Sequence, residues 1–391
     1  MVIAPEIIAS YEKLGAEYGG FIYRPGVVAF HKGNRAAMQG TPAFKFDSSS
    51  KPELIKLPPV PIPFGLDLSL TGVTDKEIKQ LKNLSNLAML DLSATTVTDE
   101  GLRELTDTQA TERGLDGLKG LTNLTDLDLR EIMTDEGLKQ LNVLTKLRSL
   151  DVGEKVTDAG LKELKDFPNL VRLNLTLAKI TDEGLKELKH LKKLVSLDLC
   201  MTKVTDTGLK ELKALENLAW LDLHFTAITD TGLKELKQCK NLAVLDLTST
   251  KVSDAGLENL NDCKKLTELY LRAEQLTDEG LRQLKGLENL TKLGLEGTQV
   301  TDEGLEQLKK IKKLETLSLF RSQVRGPGLE SLKDLPNLIE LDFGGENVED
   351  GGLKYLKLLK NLKSAFVRGN GSRGKRIEGI EESFPSRSLF H

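Results

Sequence analysis

One phrase recurs along most of this chain, and a fixed repeat restricts the possible folds more than any other property of a sequence. Its cleanest copy runs from Thr205 to Ile228, TDTGLKELKALENLAWLDLHFTAI. The same phase returns at Asp75, Asp99, Asp135, Asp158, Asp182, Asp206, Asp230, Asp254, Asp278, Asp302, Gly326 and Asp350, with a step of 24 residues nearly throughout. A constant period of this length means a stack of like units, each burying its apolar face on its neighbours.

Inside one copy the apolar spacing changes halfway. Leu209, Leu212 and Leu215 recur every three residues, as on one face of a short helix, whereas Leu218, Leu221 and Leu223 end in the alternation of a strand. Each repeat is therefore one helix and one strand. Thr205 and Asp206 stand where an N-cap and first helical turn belong, suited to free N–H groups and the positive helix end. Strand cores centred on 66, 90, 127, 150, 173, 197, 221, 245, 269, 293, 317, 341 and 365 predict thirteen parallel strands. The step from Asp99 to Asp135 is 36 residues, and within it Thr111–Leu115 (TERGL) echoes the helix start. An insertion near 105–117 that kept its helix and lost its strand is expected, and it should be the weakest point of the stack.

The string LxxLxL in each copy resembles the leucine-rich repeat family, with Thr226 at the place where that family usually has Asn or Cys. The longer wording TDxGLKxLKxLxNLxxLDLxxTxV is similar to 24-residue repeats of bacterial proteins, planctomycetes in particular, and covers residues 65–367. The resemblance implies an α/β fold: a right-handed solenoid, or horseshoe, with a parallel sheet on the concave side and short helices on the convex side. It also implies a protein-binding module without enzymatic activity. The ligand is not specified, because the matching residues belong to the core.

Outside the repeats, residues 1–64 read as an N-terminal cap. Pro5 and the stripe Ile7, Ile8, Tyr11, Leu14 and Tyr18 predict a helix over 4–18. Phe21–Arg24 and Val27–His31 flank Pro25-Gly26 as a hairpin, and six prolines between Gly40 and Pro63 predict an extended, irregular linker. Residues 368–391 read as a C-terminal cap: a loose loop from Arg368 to Lys375, then a half-repeat with Ile377, Ile380 and Phe384 at helical spacing.

The net charge of −4 argues against general nucleic-acid binding. No apolar run approaches the ~18 residues of a membrane span, and MVIAPEIIASYEK lacks a basic leader, so a cytoplasmic location is expected. Cys239 and Cys263 fill the slot of Leu215 and Leu287 in other copies, which predicts buried thiols and not a disulfide or metal pair. No phosphate loop, metal-ligand spacing or cofactor motif is present.

Identical positions on adjacent rungs of a parallel sheet lie ~5 Å apart, so surface columns can be read from the sequence. The column before the last strand leucine holds Asp67, Asp91, Asp128, Asp151, Asn174, Asp198, Asp222 and Asp246, then Tyr270. Such a row suits a basic protein segment or divalent cations, or is merely a solvated face. Two residues on, Cys200 and His224 would be neighbours, an arrangement that raises a cysteine hydrolase as the alternative activity. Trp220, the only tryptophan, shares a rung with His224 and Phe225, while Leu177, Met201 and Phe225 form an apolar column. The expected partner-binding residues are Asp198, Trp220, Asp222, His224, Phe225, Asp246 and Tyr270. The aromatics would act as anchors and the aspartates would steer a basic peptide or protein.

Overall fold

The turn that ends each strand explains much of the architecture. The computed structural model describes residues 3–24, 27–48, 50–106, 123–345, 353–368 and 375–378. In it, the strand-end aspartate of several rungs accepts a hydrogen bond from the backbone N–H two residues ahead. Asp67 Oδ1 takes it from Ser69 at 3.0 Å, Asp91 from Ser93 at 2.9 Å, Asp222 from His224 at 2.8 Å and Asp246 from Thr248 at 2.8 Å. Asn174 does the same for Thr176 at 2.9 Å. Such a side-chain bond closes a turn that the backbone would otherwise leave open. One residue further on, the chain enters the left-handed region: Leu70, Ala94, Leu177, Met201, Phe225 and Ser249 all have φ between 52° and 66°. The next threonine then secures the bend, Thr226 donating to the Leu223 carbonyl at 2.6 Å.

At the other edge of each rung the TDxGL phrase supplies a second device. Thr229 is an N-cap whose hydroxyl accepts from Thr231 N–H at 3.2 Å, and Thr74, Thr134, Thr157, Thr181 and Thr277 cap in the same way. The aspartate beside the cap serves the next rung. Asp206 accepts both the N–H of Thr229 (2.8 Å) and its hydroxyl (2.6 Å), and Asp230 repeats this with Ser253 at 2.7 and 2.6 Å. A Cβ on Gly232 or Gly256 would drive into the carboxylate of Asp206 or Asp230, so only glycine permits that approach. An asparagine ladder is also present, although at NL and not at the Thr226 slot: Asn241 donates to Glu216 O at 2.7 Å and accepts from Lys265 Nζ at 2.6 Å. Many rung helices are 3₁₀ turns, such as Gly208–Ala214 and Gly304–Lys310. That geometry fits leucines spaced by three, since a 3₁₀ helix has three residues per turn.

The chain forms two units, residues 1–203 and 204–391. In the first, a helix at Pro5–Lys13 precedes strands β1 (Ala16–Arg24), β2 (Val27–Lys32) and β3 (Thr41–Phe46). Six rung strands follow: β4 (Phe64–Asp67), β5 (Leu87–Asp91), β6 (Asp126–Asp128), β7 (Ser149–Asp151), β8 (Arg172–Asn174) and β9 (Ser196–Asp198). The second unit contains β10 (Trp220–Asp222), β11 (Val244–Asp246), β12 (Glu268–Tyr270), β13 (Lys292–Gly294), β14 (Thr316–Phe320), β15 (Glu340–Gly344), β16 (Ser364–Arg368) and β17 (Lys375–Glu378). Neighbouring rung strands within each unit pair in parallel, Leu221 opposite Leu245 and Leu127 opposite Leu150. All thirteen expected strand centres lie in strands. The leucines at those centres turn inward, with Leu150, Leu197, Leu221, Leu245 and Leu269 at 0% exposure.

Three expectations for the ends are corrected. The first helix stops at Lys13, and Tyr18 lies in β1, where it is buried against Phe44. The supposed irregular linker holds β3, antiparallel to β1 and parallel to β4, so the cap is built into the sheet. Pro42 is tolerated there because it falls at the strand start. Ile377 lies in β17, which runs antiparallel to β16, and not in a helix. An antiparallel return covers the exposed edge of a parallel sheet, a need that helical spacing does not reveal. Ile380, Phe384 and most of the 105–117 insertion lie outside the described residues; Asp99–Thr106 is helical.

Candidate functional site

Alternation along each rung strand sends one set of side chains to the core and the other to the open face of the sheet. On β10, Leu221 is buried while Trp220 and Asp222 are half-buried on the opposite side, in register with Val244 and Asp246 of β11. On β12, Glu268 and Tyr270 occupy the same two positions, and the Tyr270 hydroxyl donates to Glu268 Oε2 at 2.8 Å. Burial is the main cause that raises the Tyr270 pKa above its ordinary value, and the Glu268 carboxylate adds to it.

Beyond the strand end, His224 stacks on Phe225 with ring centroids 4.4 Å apart. Phe225 is 51% exposed. A carboxylate oxygen from each of Asp222 and Asp246 and one imidazole nitrogen of His224 lie within 4.8 Å of one another. The second unit thus brings together Trp220, Asp222, His224, Phe225, Asp246 and Tyr270. Asp198, the remaining expected site residue, ends β9 of the first unit, where its Oδ1 accepts from Cys200 N–H at 2.9 Å. Cys200 belongs to the first unit and His224 to the second. Cys239 and Cys263 are buried free thiols, pushed up to about 12 and about 11 by loss of solvent.

A second surface was not anticipated. In the first unit, β1 and β2 place Phe21, Val28 and Phe30 beside the open face of β4–β8, and a cleft of roughly 790 Å³ lies beneath them. Asp67 and Asp91 of the aspartate column line it, Asp128 and Asp151 line a small pocket beside Asp91, and these residues are more buried and better paired than a solvated row would be. Asp67 is 3% exposed and receives Lys45 Nζ at 2.7 Å. Arg130 forks onto Asp128 at 2.6–3.0 Å, which raises the guanidinium pKa further. Arg172 clasps Asp151, which is 7% exposed, and also reaches Ser149 Oγ at 3.0 Å. Burial outweighs Arg172 and leaves the Asp151 pKa raised to about 6.

Asp91 differs. Only Ser93 bonds its carboxylate, through N–H and Oγ at 2.9 and 2.6 Å, and among the described residues no cation pairs with it. Its pKa rises to about 7, chiefly from burial and then from the charges on Asp128 and Asp67. The apolar residues Phe21, Val28 and Phe30 of the hairpin, which fall outside the repeats, were the sequence signal for this cleft. The cations come from Lys45 in the cap, Arg130 two positions along and Arg172 one rung on, so no single column shows them.

A leucine-rich repeat family model matches residues 168–189, 238–260 and 286–309. No curated protein matches the chain in sequence. Among solved structures, it is similar to internalin InlF of Listeria monocytogenes, with a TM-score of 0.60 and 22% identity over 94% of each chain. That likeness is one of fold. A second Listeria monocytogenes internalin, InlC2, aligns with 54% of this chain and 84% of its own at 28% identity and a TM-score of 0.41. The family model and the likeness to InlF agree on the leucine-rich repeat fold that the resemblance of the repeats implied. Among the described residues no helix is long and apolar enough to cross a membrane.

Proposed function

We propose that the chain is a protein-binding scaffold whose partner docks on the open face of β10–β12, with Trp220, His224, Phe225 and Tyr270 as anchors. Leucine-rich repeat stacks offer extended surfaces for such contacts. The observation that carries this reading is Phe225. A bulky residue at φ 56° costs ~1–2 kcal/mol, and Gly297 fills the same turn position without strain at φ 64°. Inside the chain the phenyl ring meets His224 on one face and leaves half of its surface to solvent, so an external contact best explains a bulky residue there. Asp222 and Asp246 give the patch a negative rim suited to a basic protein segment. No catalytic step is assigned to this face.

The test is affinity capture from cells of the source organism with the parent chain and with the Trp220→Ala/Phe225→Gly variant. A protein retained by the first and lost from the second, with the variant's melting temperature preserved, supports the reading. Equal retention refutes it.

A second reading, a divalent cation at the same place, rests on the convergence of Asp222, His224 and Asp246. An N,O set of this kind suits Zn²⁺ among common cations. Calorimetric titration with Zn²⁺ should show one site that His224→Ala removes; no heat above that of the variant rejects it. The cysteine hydrolase reading would require selective, pH-dependent labelling of Cys200 by a thiol probe.

A further inference from the structure

We infer that the cleft beneath the β1–β2 hairpin is a receptor for a lysine or arginine side chain of a partner polypeptide, with Asp91 as its counter-charge. The site lies in the first unit and does not depend on the reading of β10–β12. The chain itself shows the chemistry. Lys45 places its ammonium 2.7 Å from Asp67 and 6.0 Å from the Phe30 ring centroid, a carboxylate and an aromatic face acting on one cation. Asp128 and Asp151 are likewise matched, by Arg130 and Arg172. Asp91 stands between Asp67 and Asp128 in the strand register, opens into the same cleft, and is the member of this row left without a cation among the described residues.

The surroundings select a long side chain over a bare ion. Leu70 and Leu177 line the cleft at 60% and 51% exposure, both in the left-handed turn position, and Phe21 and Val28 face them from the hairpin. An aliphatic stem that ends in a charge covers apolar surface along its length and carries the cation to the floor. A metal ion would gain nothing from those walls. Among the described residues the carboxylates of this row do not converge on a common point as those of Asp222 and Asp246 do with His224.

The charges around Asp91 are Asp67 and Lys45 on one side and Asp128, Arg130, Asp126 and Asp151 with Arg172 on the other, with Glu131 and Glu154 further along the same cleft. The carboxyl titrates near pH 7, so it is mostly charged at pH 8 and mostly neutral at pH 6. Binding of a cation should therefore weaken about tenfold between those values.

The experiment uses the full chain with ¹³C-methyl labels and a hexapeptide of alternating Lys and Gly as the probe. Expected are saturable shifts of Met89 and Val28, the tenfold loss from pH 8 to pH 6, and loss of both effects in Asp91→Asn. That variant keeps the turn acceptor, as Asn174 does one column member away from Asp151. Binding that is unchanged in Asp91→Asn, or equal for an alternating Glu and Gly peptide, overturns the proposal. So does displacement of the peptide by millimolar Mn²⁺ with shifts at the same methyls, which would mark a metal site. A melting temperature and methyl spectrum of the variant that match the parent separate loss of binding from loss of fold.

Discussion

The two units carry the same aspartate column, yet they use it differently. In the first, the column aspartates Asp67, Asp128 and Asp151 each have a cation, and aromatic residues from the cap stand beside the row. In the second, Asp222 and Asp246 border an aromatic patch in which a strained Phe225 stacks on His224. Apart from Asp151, whose two oxygens both go to Arg172, the turn hydrogen bond holds one oxygen of Asp67, Asp91 and Asp128 as it does of Asp222 and Asp246, and leaves the other to the local surface. What distinguishes the two faces is the chemistry that meets that second oxygen.

The strongest way to break this comparison is Arg172→Ala. It strands the buried charge of Asp151 and should lower the stability of the first unit by about 3 kcal/mol, read by denaturant titration. The equivalent loss in the second unit, Lys292→Ala, removes a half-exposed partner of Glu268 and should cost under about 1 kcal/mol. Next in size, Trp220→Ala should weaken partner binding by about 2 kcal/mol, or roughly thirtyfold, mostly through faster dissociation seen in binding kinetics. Asp91→Asn should leave that partner's affinity unchanged.

A third difference concerns pH. Asp91 and Asp151 have raised folded-state values, so the folded first unit holds more protons than the unfolded chain between about pH 4 and 7. Its stability is therefore greatest below the unfolded values and falls as pH rises through the folded ones. Melting curves should shift down by several degrees from pH 5 to pH 8, since linkage sets an upper scale of about 4 kcal/mol for the two groups together. Asp91→Asn should reduce that shift.

Smaller effects sharpen the view of the second unit. Phe225→Gly should raise stability by about 1 kcal/mol by relieving the left-handed residue, while it removes the exposed ring. Asp222→Asn, which keeps the turn acceptor, should slow association a few-fold at low salt and flatten its salt dependence, with dissociation unchanged.

The periodicity of leucine was enough to place all thirteen rung strands, because a residue buried every 24 positions has only one way to stay buried. The cap was less legible. Its strands pair at long range with β1 or β4, and Pro42 and its neighbours punctuate the sequence where β3 forms. For the surface, the patch around Trp220 and Phe225 could be read because apolar residues stood out in charged columns. The matched aspartates could not, since a carboxylate looks the same along the chain whether solvent or a guanidinium from another rung neutralises it.

The Asp206–Thr229 link has one more consequence. From Asp206 to Asp278 each rung offers an acceptor to the one after it and makes the same contact with the one before, so these rungs of the second unit are interchangeable at their seams. A whole 24-residue copy inserted between Thr229 and Ser253 would bring its own acceptor, hydroxyl and glycine, and the lattice of contacts would close around it. A shorter insertion would leave one seam unmatched. Growth of such a chain by duplication is thus quantised in whole repeats, and the reach of its binding face can be lengthened without redesigning its core.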